Sequence, residues 1–196
     1  MKSSKLRYLP NALTFANMAI GVFIVCFLMI SQNSIYDVKL VCYMIYIAAI
    51  FDMLDGHLAR YLNASSEMGK QLDSFADFIT FGVAPVAIFI SNTKTAPWYI
   101  LLILLCYPLA GGFRLARYNL QKNCECFAGL PITAAGFIMN TTLLINRYLH
   151  SEITAEFTVL FLVLSLVLSV LMISKIRVNR IIKVKRDRET VLLSDS

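Results

Sequence analysis

The chain has 196 residues, 58% of them hydrophobic and only 15% charged, with a formal net charge of +6. A soluble domain carries about 25% charged residues, so this composition belongs in a membrane. It excludes a soluble globular domain, a disordered chain, a collagen-like repeat and a disulfide-stapled secreted scaffold.

A helix that crosses the hydrocarbon core needs about 20 mainly apolar residues. The first such run, Ala12 to Ile30, follows the charged start MKSSKLRYLPN, and Pro10 fits a first-turn position where a missing N–H costs nothing. A cleaved leader is not expected, because no small-residue cleavage site follows and Thr14 and Asn17 lie early in the run. A second span begins near Val38 and continues through VCYMIYIAAIF into DMLDGHLARYL; a third begins near Gly69 and carries LDSFADFITFGVAPVAIFI. The fourth, Pro97 to about Arg117, contains Pro108 and the Gly111–Gly112 pair, which predicts a kink. The fifth runs from Pro131 to near Leu149, and the sixth, Ile153 to Ile173, has no charge within FTVLFLVLSLVLSVLMI.

The expected fold is therefore an all-α membrane bundle of six transmembrane helices over residues 1–176, with a basic tail over 177–196. Fifteen of the eighteen Lys and Arg residues fall on one side of it, leaving Lys39, Lys94 and Arg147 on the other. Short basic flanks stay in the cytoplasm, so both termini are expected there, in an inner-membrane protein. The tail residues Val178, Ile181, Ile182 and Val184 suit an interfacial helix. Its charge is explained by anionic lipid headgroups, so no nucleic-acid partner is expected. Of the five cysteines, Cys26, Cys42 and Cys106 lie in apolar runs, and Cys124-x-Cys126 has no partner pair to complete a zinc site.

Four of the twelve acidic residues stand apart, because they sit within the spans rather than in loops or tails: Asp52 and Asp55 close the second span, and Asp73 and Asp77 open the third. An ionisable side chain inside a membrane helix costs about 2.5–3.5 kcal/mol even on a lenient scale. Residues three or four apart share a helix face, so each pair forms one acidic face, and an antiparallel hairpin lets the two faces converge at the cytoplasmic boundary. Gly56 and Ala59 leave the Asp52 stripe bare of bulk, with Arg60 at its edge. Four anions at low dielectric repel unless a cation joins them, and oxygen ligands favour Mg²⁺, Mn²⁺ or Ca²⁺ over zinc. His57 is expected on the wrong face to join them. Helix capping is the plain alternative. It suits Asp73, which is expected in a first turn, but not Asp52 and Asp55 late in a helix, where the macrodipole opposes them.

The stretch reads Asp52-x2-Asp55-Gly56-x2-Ala59-Arg60-x8-Gly69-x3-Asp73-x3-Asp77. It resembles, at every fixed position, the signature of the CDP-alcohol phosphatidyltransferases. LPNALTFANMAIG, LDSFADFITFGVAP, GGFRLARYN and GLPITAAG resemble the serine-dependent (phosphatidylserine synthase) branch in particular. The likeness covers most of residues 6–136.

The resemblance implies six transmembrane helices, a homodimer, and displacement of CMP from a CDP-linked lipid by an alcohol, with divalent metal. Carried over, Asp52, Asp55, Asp73 and Asp77 hold two ions, Mg²⁺ or Mn²⁺, and Asp77 is the candidate general base. Gly56, Ala59, Arg60 and Gly69 line the CDP pocket, and Asn17 approaches from the first helix. The implied substrates are CDP-diacylglycerol and L-serine. A serine carboxylate needs a cation, which Arg114 and Arg117, three apart on one face, can supply; lipid phosphate or simple anchoring of the helix end is the alternative for that pair. Lys175 suits a snorkelling anchor. Glycerol 3-phosphate or an inositol phosphate stands as the alternative acceptor, and a cation carrier as the alternative class.

Overall fold

The computed structural model describes residues 9–30, 35–62, 66–93, 97–120, 129–150 and 152–174. Among these lie six helical rods: α1 (Leu9–Ile30), α2 (Ile35–Tyr61), α3 (Glu67–Asn92), α4 (Trp98–Leu120), α5 (Ile132–Leu149) and α6 (Ala155–Ile173). Four of them, α1, α3, α4 and α6, are long and apolar enough to cross a membrane. The other two carry much of the polar chemistry: Asp52, Asp55 and Arg60 on α2, and Asn140, Asn146 and Arg147 on α5. The basic tail with its expected interfacial helix, Lys175, and the Cys124–Cys126 pair lie outside the described residues.

Helix ends follow local chemistry. α3 starts at Glu67, two residues before the expected Gly69, because Ser66 caps it: its Oγ accepts from the Gly69 N–H at 2.9 Å. Asp73 thus lies well inside the helix rather than in its first turn, and the capping explanation fails for it. α6 is capped in the same way by Thr154, whose Oγ1 accepts from the Phe157 N–H at 3.2 Å. The fifth helix begins one residue after the expected Pro131, which is its N-cap, with an extended ψ of 140° and no side-chain capping bond. α4 remains one helix through Pro108.

α3 is not uniform. Between Asp77 and Ala84 the chain widens into a π-helical turn, Phe78–Val83, and the Ala84 N–H reaches back five residues to the Ile79 carbonyl. Pro85 supplies a reason. It has no N–H to offer the Phe81 carbonyl, and its ring crowds that oxygen. The freed carbonyl instead accepts from the buried Tyr107 hydroxyl of α4 at 3.0 Å, while the Thr80 hydroxyl donates to the Asn17 carbonyl of α1 at 3.2 Å. The widened turn is tied on two sides to neighbouring helices.

α1 lies along α2 and α3, α4 packs on α6, and α5 fits against α2 and the widened turn. The core holds Ile24, Ile45, Phe81, Phe89, Leu104, Met139 and Phe161, with Phe89 and Phe161 stacked at 4.4 Å between centroids. Outward-facing Met29, Ile30, Leu109, Val159 and Val170 are exposed, as suits rods with lipid for solvent. Between α2 and α5 the glue is polar. Asn140 Nδ2 donates to the Cys42 carbonyl at 3.0 Å, the Tyr46 and Thr141 hydroxyls meet at 2.9 Å, and those of Tyr43 and Tyr148 at 2.6 Å. Such interhelical hydrogen bonds contribute about 0.6–2 kcal/mol each in a membrane. Lys39 lies 3.9 Å above the Tyr148 ring.

Candidate active site

At the end of the bundle where α2 finishes and α3 begins, a cavity of about 970 Å³ opens between α1, α2, α3, α4 and the start of α5. All four in-span acids line it. One carboxylate oxygen each from Asp52, Asp55 and Asp73 falls within 4.8 Å of the others. Asp77, 8% exposed, interacts with Asp52 and leaves its Oδ1 buried without a hydrogen-bond partner. Carboxylates held this close repel one another unless a cation lies between them. The all-oxygen donor set and the orphaned Oδ1 therefore fit a hard divalent ion. The three-residue and four-residue spacings explain the convergence, since each pair points from one face of its helix into the hairpin.

A residue from outside the hairpin fixes one of these acids. The Thr14 hydroxyl of α1 donates to Asp55 Oδ2 at 2.7 Å, and Asp55 is only 4% exposed. Thr14 is not among the residues expected at the site. Its polarity in an apolar run was the available signal, but its partner lies 41 residues away. Asn11, Ser66, Lys70, Tyr118, Asn119 and Thr133 also line the cavity without having been expected there.

Of the other expected residues, Gly56, Ala59, Arg60, Gly69 and Arg114 all line the cavity. Arg60 folds back on its own helix, its Nε donating to the Gly56 carbonyl at 2.9 Å. Gly69 packs beside Asn11 and Ser66. Arg114 is buried in the cavity wall, and its Nε has no partner. His57, expected to face away from the acids, stands exposed among the lining residues.

Two expected residues are not brought to the cavity. Asn17 is fully buried one turn further along α1 than Thr14, and it meets α3 through its backbone carbonyl rather than its amide. Arg117 reaches the far end of α6, where its Nη1 donates to the Ile173 carbonyl at 3.1 Å. Arg114 and Arg117 are close along the chain but serve different surroundings.

That contact belongs to a clasp. The last carbonyls of a helix have no partner within it, and those of α6 are met from outside. Arg117 takes Ile173, and the Leu130 N–H takes Leu171 at 3.1 Å. Gly129 makes the approach possible: its φ is +85°, and a Cβ there would collide with the Met172 carbonyl. The chain then turns through Pro131 into α5, whose first residues form one wall of the cavity.

The sequence profile of the CDP-alcohol phosphatidyltransferases matches residues 7–179. The chain belongs to that family. The profile spans all six helices and every acid of the site. Among curated relatives, a CDP-diacylglycerol–serine O-phosphatidyltransferase of Bacillus subtilis (strain 168) is 35% identical over 136 residues, covering 68% of this chain and 74% of the relative. One of the same name from Helicobacter pylori (strain 26695) is 32% identical over 204 residues, covering 98% and 81%. A third, from Methanocaldococcus jannaschii, is 40% identical over 113 residues, covering 57% and 55%. Family membership gives the acid cluster a chemical context: its members act on CDP-linked alcohols, whose diphosphate is itself an anion that a carboxylate-lined cavity binds only through cations.

Proposed function

We infer that the protein is a CDP-diacylglycerol–serine O-phosphatidyltransferase, transferring a phosphatidyl group to the hydroxyl of L-serine and releasing CMP. The observation that carries this reading is the convergence of Asp52, Asp55, Asp73 and Asp77 in one cavity that also holds Arg60 and Arg114, in a chain whose relatives bear that name.

The residue roles follow from the chemistry. Asp52, Asp55, Asp73 and Asp77 would hold two divalent ions, Mg²⁺ or Mn²⁺. Bound there, the metal supplies charge stabilisation for the diphosphate and the departing CMP. Gly56 and Ala59 keep the α2 face low enough for a nucleotide to lie against the backbone, Gly69 borders it, and Arg60 pairs with a phosphate oxygen. The serine hydroxyl is a weak nucleophile until its proton is accepted. Asp77, with one oxygen unpartnered, takes that proton as the serine Oγ–P bond forms and the P–O bond to CMP breaks. Arg114 pairs with the serine carboxylate; Arg117 works at a distance, through the clasp.

The enzyme works in the cytoplasmic membrane as a homodimer, with both termini and the cavity mouth at the cytoplasmic face. That face is where a soluble amino acid and a membrane lipid can meet. The basic bias of the flanking segments supports this sidedness, and the family resemblance supports the dimer.

The test is purified protein with CDP-diacylglycerol, Mn²⁺ and, in separate reactions, radiolabelled L-serine, glycerol 3-phosphate or inositol phosphate. Label is expected in lipid with serine only, and a chelator abolishes it until Mn²⁺ or Mg²⁺ is restored. Asp77→Asn lowers turnover by about 10²-fold or more while the protein still inserts. Lipid product from another acceptor and none from serine would overturn the assignment.

A further inference from the structure

We propose that Tyr107 of α4 is a positioning residue for the acid cluster: with Thr80, it pins the extra residue of the widened α3 turn on the far side of Asp77, so that Asp73 and Asp77 stay on one face. The proposal rests on the metal-dependent reading above and adds a residue outside the cavity lining on which the site depends.

Asp73 and Asp77 are four residues apart, and such a pair shares a face only while the turn between them is α-helical. α3 keeps that form from Glu67 through Asp77 and widens at the very next residue, Phe78. A π-turn amounts to one inserted residue, and its place along the helix is set by which buried carbonyls find partners outside it. Moved one turn toward the N-terminus, the insertion would fall between the two acids. Asp77 would then leave the Asp73 face and lose Asp52, which it now meets.

The half of α3 beyond the turn is fixed. Pro85 takes away the donor that the Phe81 carbonyl would have used, and Ile88 and Phe89 are fully buried, with Phe89 stacked on Phe161 of α6. At the turn itself, the Tyr107 hydroxyl donates to the Phe81 carbonyl at 3.0 Å, and both residues are fully buried. α5 closes in from another side: a Cβ on Gly136 would lie 2.8 Å from that carbonyl oxygen. Thr80 ties the turn to the Asn17 carbonyl of α1 at 3.2 Å and leaves the Phe81 carbonyl to Tyr107. Before the turn the packing is looser, because Phe75 is 60% exposed and Asp73 borders the cavity. Without the hydroxyl a buried carbonyl is left bare, which is costly, and the half that yields is the one carrying the acids.

The experiment compares Tyr107→Phe with Tyr46→Phe in the full-length protein. Each removes one hydroxyl from an interhelical contact and keeps the ring, but Tyr46 meets Thr141 of α5, away from the widened turn. Mn²⁺ binding is measured by electron paramagnetic resonance without substrate, alongside the melting temperature in detergent and turnover with CDP-diacylglycerol and L-serine. Tyr107→Phe is expected to weaken Mn²⁺ binding by about tenfold and lower kcat, with both KM values within about twofold of wild type, as befits a partner that acts through the ligands. Tyr46→Phe leaves Mn²⁺ binding at the wild-type value. Wild-type binding in Tyr107→Phe, or equal losses in the two variants, overturns the pin and makes Tyr107 a packing residue. If Tyr107→Phe does not fold, Thr80→Val frees the same turn from α1, and wild-type Mn²⁺ binding in that variant overturns the pin equally. Failure of the serine reading is distinct, because wild-type protein would then bind Mn²⁺ yet make no lipid from serine; wild-type protein that bound no Mn²⁺ would remove the metal site and the pin together.

Discussion

The contact between Thr14 and Asp55 separates a candidate metal ligand from the residue that aims it. Thr14 donates to Asp55 Oδ2, which restrains how the carboxylate is aimed toward Asp52 and Asp73. Outer partners of metal ligands typically account for 10–100-fold in affinity. Thr14→Val keeps the shape and removes the donor, so the Mn²⁺ concentration giving half-maximal activity should rise by about tenfold. A metal titration of activity measures it, and an unchanged midpoint would make Thr14 a packing residue only. The four acids were legible from the sequence because charge within an apolar run is costly and the spacing fixes the face. Thr14 was not, because a hydroxyl in a membrane helix has a local alternative: donation to the carbonyl four residues back, and Thr14 does lie 3.1 Å from the Pro10 carbonyl. Arg117 shows a related effect. Three-residue spacing puts it on the Arg114 face, but a long side chain goes where an acceptor is, and the acceptor was a helix end 56 residues away.

Among the elements, α6 holds none of the four acids, yet its end organises the wall opposite them. Gly129 and Leu130 lie on its last carbonyls, and α5 starts two residues later, so the position of that first turn is inherited from α6. Gly129→Ala places a Cβ at a positive φ and against the Met172 carbonyl, a strain of about 1–3 kcal/mol. The expected outcome is a melting temperature in detergent several degrees below wild type, with the L-serine KM raised more than that of CDP-diacylglycerol. A fall in stability with both KM values unchanged would limit the clasp to a structural role. The six rods could be read from apolar runs, whereas the widened turn of α3 could not, although Pro85 marked the carbonyl it would free. What fills that carbonyl is Tyr107, on another helix, and no local pattern reports it.

Among the described residues, the two ends of the bundle carry different groups. The acids and Arg114 gather at one end. Lys39 and the Tyr43–Tyr148 contact lie toward the other, near the start of α2 and the end of α5. This polarity pairs with the distribution of Lys and Arg in the sequence, and it makes sidedness measurable. In a variant with its native cysteines replaced, Ser4→Cys and Ser194→Cys should each react with a membrane-impermeant thiol reagent only after cells are opened. Labelling in intact cells would reverse the orientation and move the cavity mouth to the outer face.

The widened turn of α3 has a further geometric consequence. Each residue of an α-helix advances the chain by about 100°, so one additional residue in a turn rotates everything beyond it by that angle. The carboxylates at Asp73 and Asp77 and the anchoring side chains at Ile88 and Phe89 therefore obey two different angular registers on a single rod. A helical wheel drawn through all of Glu67–Asn92 would assign the wrong lipid-facing stripe to one half, and scanning mutagenesis of this helix should be indexed separately on either side of Phe78–Val83.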